Sequence, residues 1–265
     1  MDPPWDDSDH RADVGAPLPV LCRRRADAVE AVVSRDQVTN PAVIIFTKAP
    51  IPGTVKTRLS PPLTPDEAAT LHGTLVLDAI ERAKGLPEVA LYIAGAPDIA
   101  HPFFKVLEGR YGARLLPQEG DDLGTRMSGA MQKAFELGHR RVILAGTDLP
   151  TFTRSHLTQA INHLNTHDVV LGPTIDGGYY LIGVRAAVPE LFQGIAWSTA
   201  GVLEETKKTA AAKGLSVALL PPCRDLDTVE DLTAFIALIG KDNTLSKRTN
   251  GALKLIANRL KERGA

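Results

Sequence analysis

Short apolar runs that alternate with capped helical patterns constrain this chain more than any other feature. The first run, 42–46, is β-branched and apolar throughout, as expected of a central parallel strand covered on both faces. After a loop, Thr64-Pro65-Asp66-Glu67 reads as a capping box, with proline at the first helical position and Glu67 three residues after the cap. Ala68, Leu71, Leu75 and Ala79 continue it as an apolar stripe that ends at Gly85. Further strands are expected at 89–94, 113–116, 141–145, 169–171, 179–184 and 215–220. Helices are expected at about 99–108, from Asp122 to Gly138, from a Thr153 cap, from about 199 to Gly214, and from a Thr228 cap to Gly240. The alternation predicts an α/β, Rossmann-like fold with a mostly parallel central sheet and helices on both faces. At 172–183 two strands follow one another with no helix between them, which predicts a local antiparallel insertion, with Tyr180, Ile182 and Val184 on one face.

The periodic part spans 41–240. Residues 1–40 form an N-terminal arm, rich in Asp and Pro to about residue 17 and expected to be partly disordered, with a short helical pattern at 18–33. Residues 241–249 read as a polar linker, and 251–263 as a basic amphipathic helix with a solvated face carrying Lys254, Arg259, Lys261 and Arg263. A length of 265 residues with 44% hydrophobic and 23% charged side chains suits one large globular domain with extensions. A net charge of −1 argues against nucleic acid as a partner, so anion binding has to come from local clusters. No apolar run approaches the ~20 residues of a membrane helix. The acidic start MDPPWDDSDH, with Arg23, Arg24 and Arg25 after the short apolar stretch, is the wrong order for a secretion signal. Cys22 and Cys223 have no metal-ligand spacing, and the expected location is cytoplasmic. The histidines show no zinc-binding spacing.

In open parallel sheets, ligands sit beyond the carboxyl ends of the strands. Polar clusters fall at several of these ends. The stretch 44–59, IIFTKAPIPGTVKTRL, breaks from strand into a loop with Lys48, Gly53, Lys56, Thr57 and Arg58. Val55 and Pro50 stand where a Walker A loop needs glycine, and the three-glycine dinucleotide pattern is absent. What remains is a cationic phosphate grip, with Gly53 permitting close backbone approach and Arg58 able to hold oxygens bidentately. The alternative is a solvated surface loop. Gln118 and Arg126 follow the third strand, and Thr147-Asp148 the fourth. Asp148 suits either a divalent metal that also touches a diphosphate or a turn cap. Asp225 and Asp227 lie two apart and either complete that metal site or support the next helix start. Asp176-Gly177-Gly178-Tyr179 reads equally as an acceptor or sugar site and as a tight turn before a strand. Trp197 is an acceptor platform or, more commonly for its type, a core residue.

Taken in order, IIFTKAPIPGTVKTRL, GDDLGTRM, GTDLP, VVLGPTIDGGYYLIG, IAWST and DLDTVEDL resemble a bacterial glycosyltransferase family associated with arsenosugar biosynthesis. That family lies within the GT-A, nucleotide-diphospho-sugar transferase superfamily, and the resemblance covers about 42–232. It implies a nucleoside di- or triphosphate across the first loop near Lys56 and Arg58, and Mg²⁺ or Mn²⁺ at Asp148. The chain has a single aspartate there rather than Asp-x-Asp. The expected function is sugar transfer from a nucleotide-sugar to a small acceptor, with Asp176 as base and Arg126 helping to hold the diphosphate. Small guanylyltransferases share this layout, so nucleotidyl transfer from a nucleoside triphosphate is the alternative. A non-catalytic nucleotide-binding module is the third reading.

Overall fold

The structure, a computed structural model, describes residues 40–241 and 243–264. The expected N-terminal arm, with Cys22, therefore lies outside the described residues apart from Asn40. Seven strands form one sheet: β1 (Ala42–Lys48), β2 (Ala90–Ala96), β3 (Arg114–Pro117), β4 (Val142–Ala145), β5 (Val169–Pro173), β6 (Tyr179–Val184) and β7 (Val217–Leu219). Their order is β3-β2-β1-β4-β6-β5-β7. Every pairing is parallel except those of β6, which runs antiparallel to both β4 and β5. The predicted architecture is the observed one.

Among the described residues, seven helices surround the sheet: α1 (Pro65–Lys84), α2 (Pro102–Tyr111), α3 (Leu123–Glu136), α4 (Arg154–His163), α5 (Val202–Ala212), α6 (Val229–Ala237) and α7 (Lys247–Glu262). Side chains of β1 alternate between two cores, as the strand period demands. Val43 and Ile45 pack with Val76 and Ile80 of α1, Phe104 of α2 and Leu157 of α4. Ala42 and Ile44 pack with Met127 and Met131 of α3 and Ala210 of α5. The capping box of α1 forms as expected: Thr64 Oγ1 accepts from the Glu67 amide at 3.2 Å, and Glu67 Oε2 accepts from the Thr64 amide at 2.9 Å.

A third core lies at one end of the sheet. It joins Leu59 and Leu63, Leu71 of α1, Leu226, Leu232 and Phe235 of α6, and Leu253 and Ile256 of α7. It pins the loop after β1 through Leu59, which is fully buried.

Two expectations are corrected. Tyr180 does not share a face with Ile182 and Val184. Pairing between β5 and β6 shifts register next to Gly172 and Pro173 and skips Tyr180, so Tyr180 and Leu181 both enter the first core while Ile182 and Val184 enter the second. A bulge adds one residue to the strand and breaks the period of two. The last helix starts a turn earlier than predicted, at Lys247, inside the stretch read as linker. Ser246 caps it, accepting from the Thr249 amide at 2.9 Å. The polar first turn then closes on the buried Asp78 of α1: Ser246 Oγ donates to it, as do Thr249 Oγ1 at 2.5 Å and Arg248 Nη1 at 2.6 Å. Further along, Arg259 of α7 and Arg263 just past its end bind Glu67, while Lys254 and Lys261 face solvent. Among the described residues, no helix is long and apolar enough to cross a membrane.

Candidate active site

The strand order reverses between β1 and β4, because β1 leads to β2 on one side and β4 leads toward β6 on the other. Such a switch point opens a crevice at the carboxyl ends of the strands. The loop after β1 and the Thr147-Asp148 turn after β4 flank it. Residues after β3, β5 and β7 complete one rim, so the topology brings the candidate residues to the same edge.

The three loop cations have different surroundings. Lys48 and Arg58 are exposed, and among the described residues neither side chain makes a hydrogen bond or ion pair. Lys56 is confined, with a side chain only 3% exposed. Its ammonium pairs with Asp148, donates to Asp227 Oδ1 at 2.8 Å and donates to the Leu226 carbonyl at 2.7 Å. Burial alone would lower its proton affinity, but Asp148 and Asp227 outweigh burial and hold Lys56 above its ordinary value. Burial works in the opposite sense on Asp148, where Lys56, His72 and Lys48 together keep the carboxylate below its ordinary value. The two aspartates are open to solvent on their outer side, at 45% and 39% side-chain exposure. The Leu226 amide donates to the Asp148 carbonyl at 2.8 Å, which locks the two loops together.

Gly53 takes a left-handed φ of 78°, and the space above it is open. Thr57 lies exposed at the start of a 3-10 turn, Thr57–Leu59. Gln118 commits its amide nitrogen to the carbonyls of Thr47 and Ala94, both at 2.8 Å, and so ties the ends of β1 and β2 together. Thr147 is buried, its hydroxyl 3.4 Å from that of Thr47. Arg126 donates from Nε to the Gly120 carbonyl at 2.7 Å at the start of α3.

On the far side of the crevice, Cys223 pairs with Pro173, Thr174 and Ile175 and carries Asp225 toward Asp176. Burial, then Asp176, Asp227 and Asp231, push the Asp225 carboxyl up to about 6. Asp176 is exposed, and its Oδ1 accepts from the Thr174 hydroxyl at 2.5 Å and the Gly178 amide at 3.1 Å. The turn reading of this segment is the observed one. Gly177 is required there, because at φ 92° a Cβ would meet the Ala200 carbonyl oxygen at 2.2 Å. Tyr179 and Trp197 meet edge to face at 6.4 Å. Trp197 is half-buried against Gly124 of α3, where a Cβ would lie 2.6 Å from its Nε1.

The sequence pattern gave no role to His72. It lies on the buried stripe of α1, between Ala68 and Leu75, which was the available signal. Its Nε2 reaches the Lys48 carbonyl at 3.0 Å and lies 3.4 Å from Thr47 Oγ1. Nδ1 is buried without a partner among the described residues. Burial lowers the proton affinity of His72 despite the opposing pull of Asp148, so it supports the end of β1 as a neutral ring.

The fold is that of the nucleotide-diphospho-sugar transferases, and the chain is a transferase. A structure assigned to that class, from Desulfovibrio desulfuricans G20, superposes with a TM-score of 0.77 at 34% identity, covering 84% of this chain and 97% of its own. Two relatives are named as guanylyltransferases. A 3-phospho-D-glycerate guanylyltransferase from Phenylobacterium zucineum is 30% identical over 66% of this chain and 81% of its own length. A 2-phospho-L-lactate guanylyltransferase from Methanothermobacter thermautotrophicus is 26% identical over 68% and 78%. The chain belongs to DUF2064, the family described as an uncharacterized protein conserved in bacteria, which matches residues 79–199. The arsenosugar association expected from sequence has no counterpart among these relatives.

Proposed function

We propose that the protein is a nucleotidyltransferase. It joins the nucleoside monophosphate of a nucleoside triphosphate to a phosphate oxygen of a small phosphorylated acceptor and releases pyrophosphate. The observation that carries this reading is the similarity to two guanylyltransferases over most of their length, both named for phosphorylated hydroxy acids. This places the alternative of the sequence analysis ahead of its first reading. Lys48 and Arg58, exposed at the switch point, hold the triphosphate, Arg58 with its planar fork and Lys48 as a point charge. Thr57, the open turn at Gly53 and Arg126 border the same path. Gln118 and Thr147 act behind it, by fixing the ends of β1, β2 and β4.

Among the described residues, no group of three or more His, Cys, Asp or Glu side chains is assembled to hold a metal ion. Asp148, Asp227 and the Leu226 carbonyl nevertheless surround a cation, the Lys56 ammonium, with oxygen alone. Such a donor set fits Mg²⁺ or Mn²⁺, with Asp225 adjacent. A bound divalent ion would supply charge compensation to the triphosphate.

The role of Asp176 separates the two chemistries. A phosphate monoester acceptor is already ionised near neutral pH and needs no base. A sugar hydroxyl acceptor does need one, and Asp176 is the candidate. Glycosyl transfer remains the second reading, favoured by the Desulfovibrio structure's assignment.

The test is incubation with GTP, CTP, ATP or UTP, Mg²⁺, and 3-phosphoglycerate or 2-phospholactate, with pyrophosphate as the readout. Acceptor-dependent pyrophosphate that survives Asp176→Asn supports nucleotidyl transfer. Absence of pyrophosphate, with release of a nucleoside diphosphate from a nucleotide-sugar, overturns it.

A further inference from the structure

Lys56 occupies the position that the proposed reaction needs for something else. An ammonium has three N–H donors. Here Asp148, Asp227 and the Leu226 carbonyl take all three, so in this conformation Lys56 has nothing left to offer a phosphate. Its backbone is in the left-handed region, φ 50° and ψ 35°, which is uncommon for a residue with a side chain. That conformation turns Lys56 inward while Lys48 and Arg58 stay exposed. The oxygens it binds are those that fit a divalent cation, and their outer side is open to solvent. Two cations on one pair of carboxylates repel each other at close range.

We infer that Lys56 is the resident counter-cation of the metal site, and that it makes divalent metal and nucleotide bind as a linked pair. The inference rests on the nucleotidyl-transfer reading. Without nucleotide, the ammonium neutralises Asp148 and Asp227 and opposes metal binding. A triphosphate drawn in by Lys48 and Arg58 offers Lys56 a second set of anionic oxygens. When the ammonium moves to them, the aspartates are released to a divalent ion. By linkage, each ligand then raises the affinity of the other. No bond is made or broken in this exchange; one cation replaces another. Lys56 is accordingly a positioning residue in the empty site and a phosphate ligand only in the filled one.

The test begins with no nucleotide. Binding of Mn²⁺ is followed through the loss of the free-ion electron paramagnetic resonance signal, for wild type, Lys56→Met and Lys56→Arg. Lys56→Met should bind Mn²⁺ about tenfold more tightly than wild type or better, equivalent to about 1.4 kcal/mol. Lys56→Arg keeps the charge and should stay near wild type. Equal affinity in wild type and Lys56→Met overturns the inference, as does an equal gain in both variants.

Should Lys56→Met fail to fold, the wild-type protein carries the test through the ¹⁵N resonance of the Lys56 ammonium. Millimolar Mg²⁺ alone should leave it in place, and Mg²⁺ with GTP should shift it. A resonance displaced by Mg²⁺ alone, or unmoved by Mg²⁺ with GTP that is bound by calorimetry, refutes the exchange. If no nucleoside triphosphate binds at all, the functional reading fails, and the Mn²⁺ comparison still decides whether Lys56 opposes the metal.

Discussion

Glu67→Gln should weaken the clamp that holds α7 on α1, and should do so by a mechanism that pH can isolate. Glu67 accepts from Arg263 at 2.9 and 3.0 Å, from the Thr64 amide at 2.9 Å and from Arg259 at 3.2 Å, with its side chain only 6% exposed. Hydrogen bonds from Arg263 lead the effect, the Thr64 amide follows, burial opposes both and Arg259 adds to them; together they lower the carboxyl from 4.5 to about 2. That drop is equivalent to about 3.4 kcal/mol of preference for the charged form. The guanidiniums of Arg259 and Arg263 are 57% and 44% exposed, so solvent screening reduces the usable part to about 1–2 kcal/mol. The folded-state value is depressed, so this stability is fully present above pH 4.5 and is lost as pH falls toward 2. Glutamine keeps one oxygen as acceptor for the Thr64 amide and replaces the other with a donor NH₂, so it removes the charge together with the two-oxygen grip on the guanidiniums. Urea unfolding of wild type and Glu67→Gln, repeated from pH 7 to pH 2, should show a gap of about 1–2 kcal/mol at neutral pH that closes through that window. A gap that persists unchanged at pH 2 would falsify the assignment to charge. Because Leu253 and Ile256 of α7 share a core with Leu59, amides of the loop around Arg58 should exchange faster in the variant at neutral pH.

Other expected outcomes concern the rim itself. Asp148→Asn should lower acceptor-dependent pyrophosphate release by about a hundredfold or more while the protein still melts cooperatively, as judged by circular dichroism. The Asp225 carboxyl should titrate near 6 by ¹³C NMR, and Asp176→Asn should bring it down, since Asp176 is the charged neighbour with the largest effect on it after burial. Its folded-state value is raised, so its contribution to stability is lost as pH climbs from 3.8 through about 6, and Asp225→Asn should remove that dependence. Gly177→Ala should cost about 1–3 kcal/mol in chemical denaturation, because it forces a side chain into φ 92° and against the Ala200 carbonyl. A Gly177→Ala protein as stable as wild type would mean that the turn at Asp176 is not held against α5.

What the sequence revealed and what it hid divide along one physical line. Local signals carried the frame: the Thr64–Glu67 box, the β-branched run of β1 and the missing helix between β5 and β6 each depend on residues close in the chain. Topology then carried the rim, because residues at the carboxyl ends of parallel strands reach one edge whatever their identity. Signals failed where a distant partner decided the outcome. The start of α7 looked like linker because Ser246, Arg248 and Thr249 are satisfied by Asp78, a carboxylate on another helix. Alternation predicts the opposite face for Tyr180 and fails there, because it is informative only while pairing keeps register. Lys56 is the sharpest case. In the sequence nothing separates its position from those of Lys48 and Arg58, three cations in one loop after one strand. In the structure two of them face solvent, while the third is buried under Asp148 and Asp227, held by the left-handed turn at Lys56 and by Leu59 in the core beneath. The spacing along the chain reports that a lysine reaches the rim. The depth at which its backbone leaves it decides which anion it meets first, and that depth is set by a hydrophobic contact with α6 and α7 far along the chain.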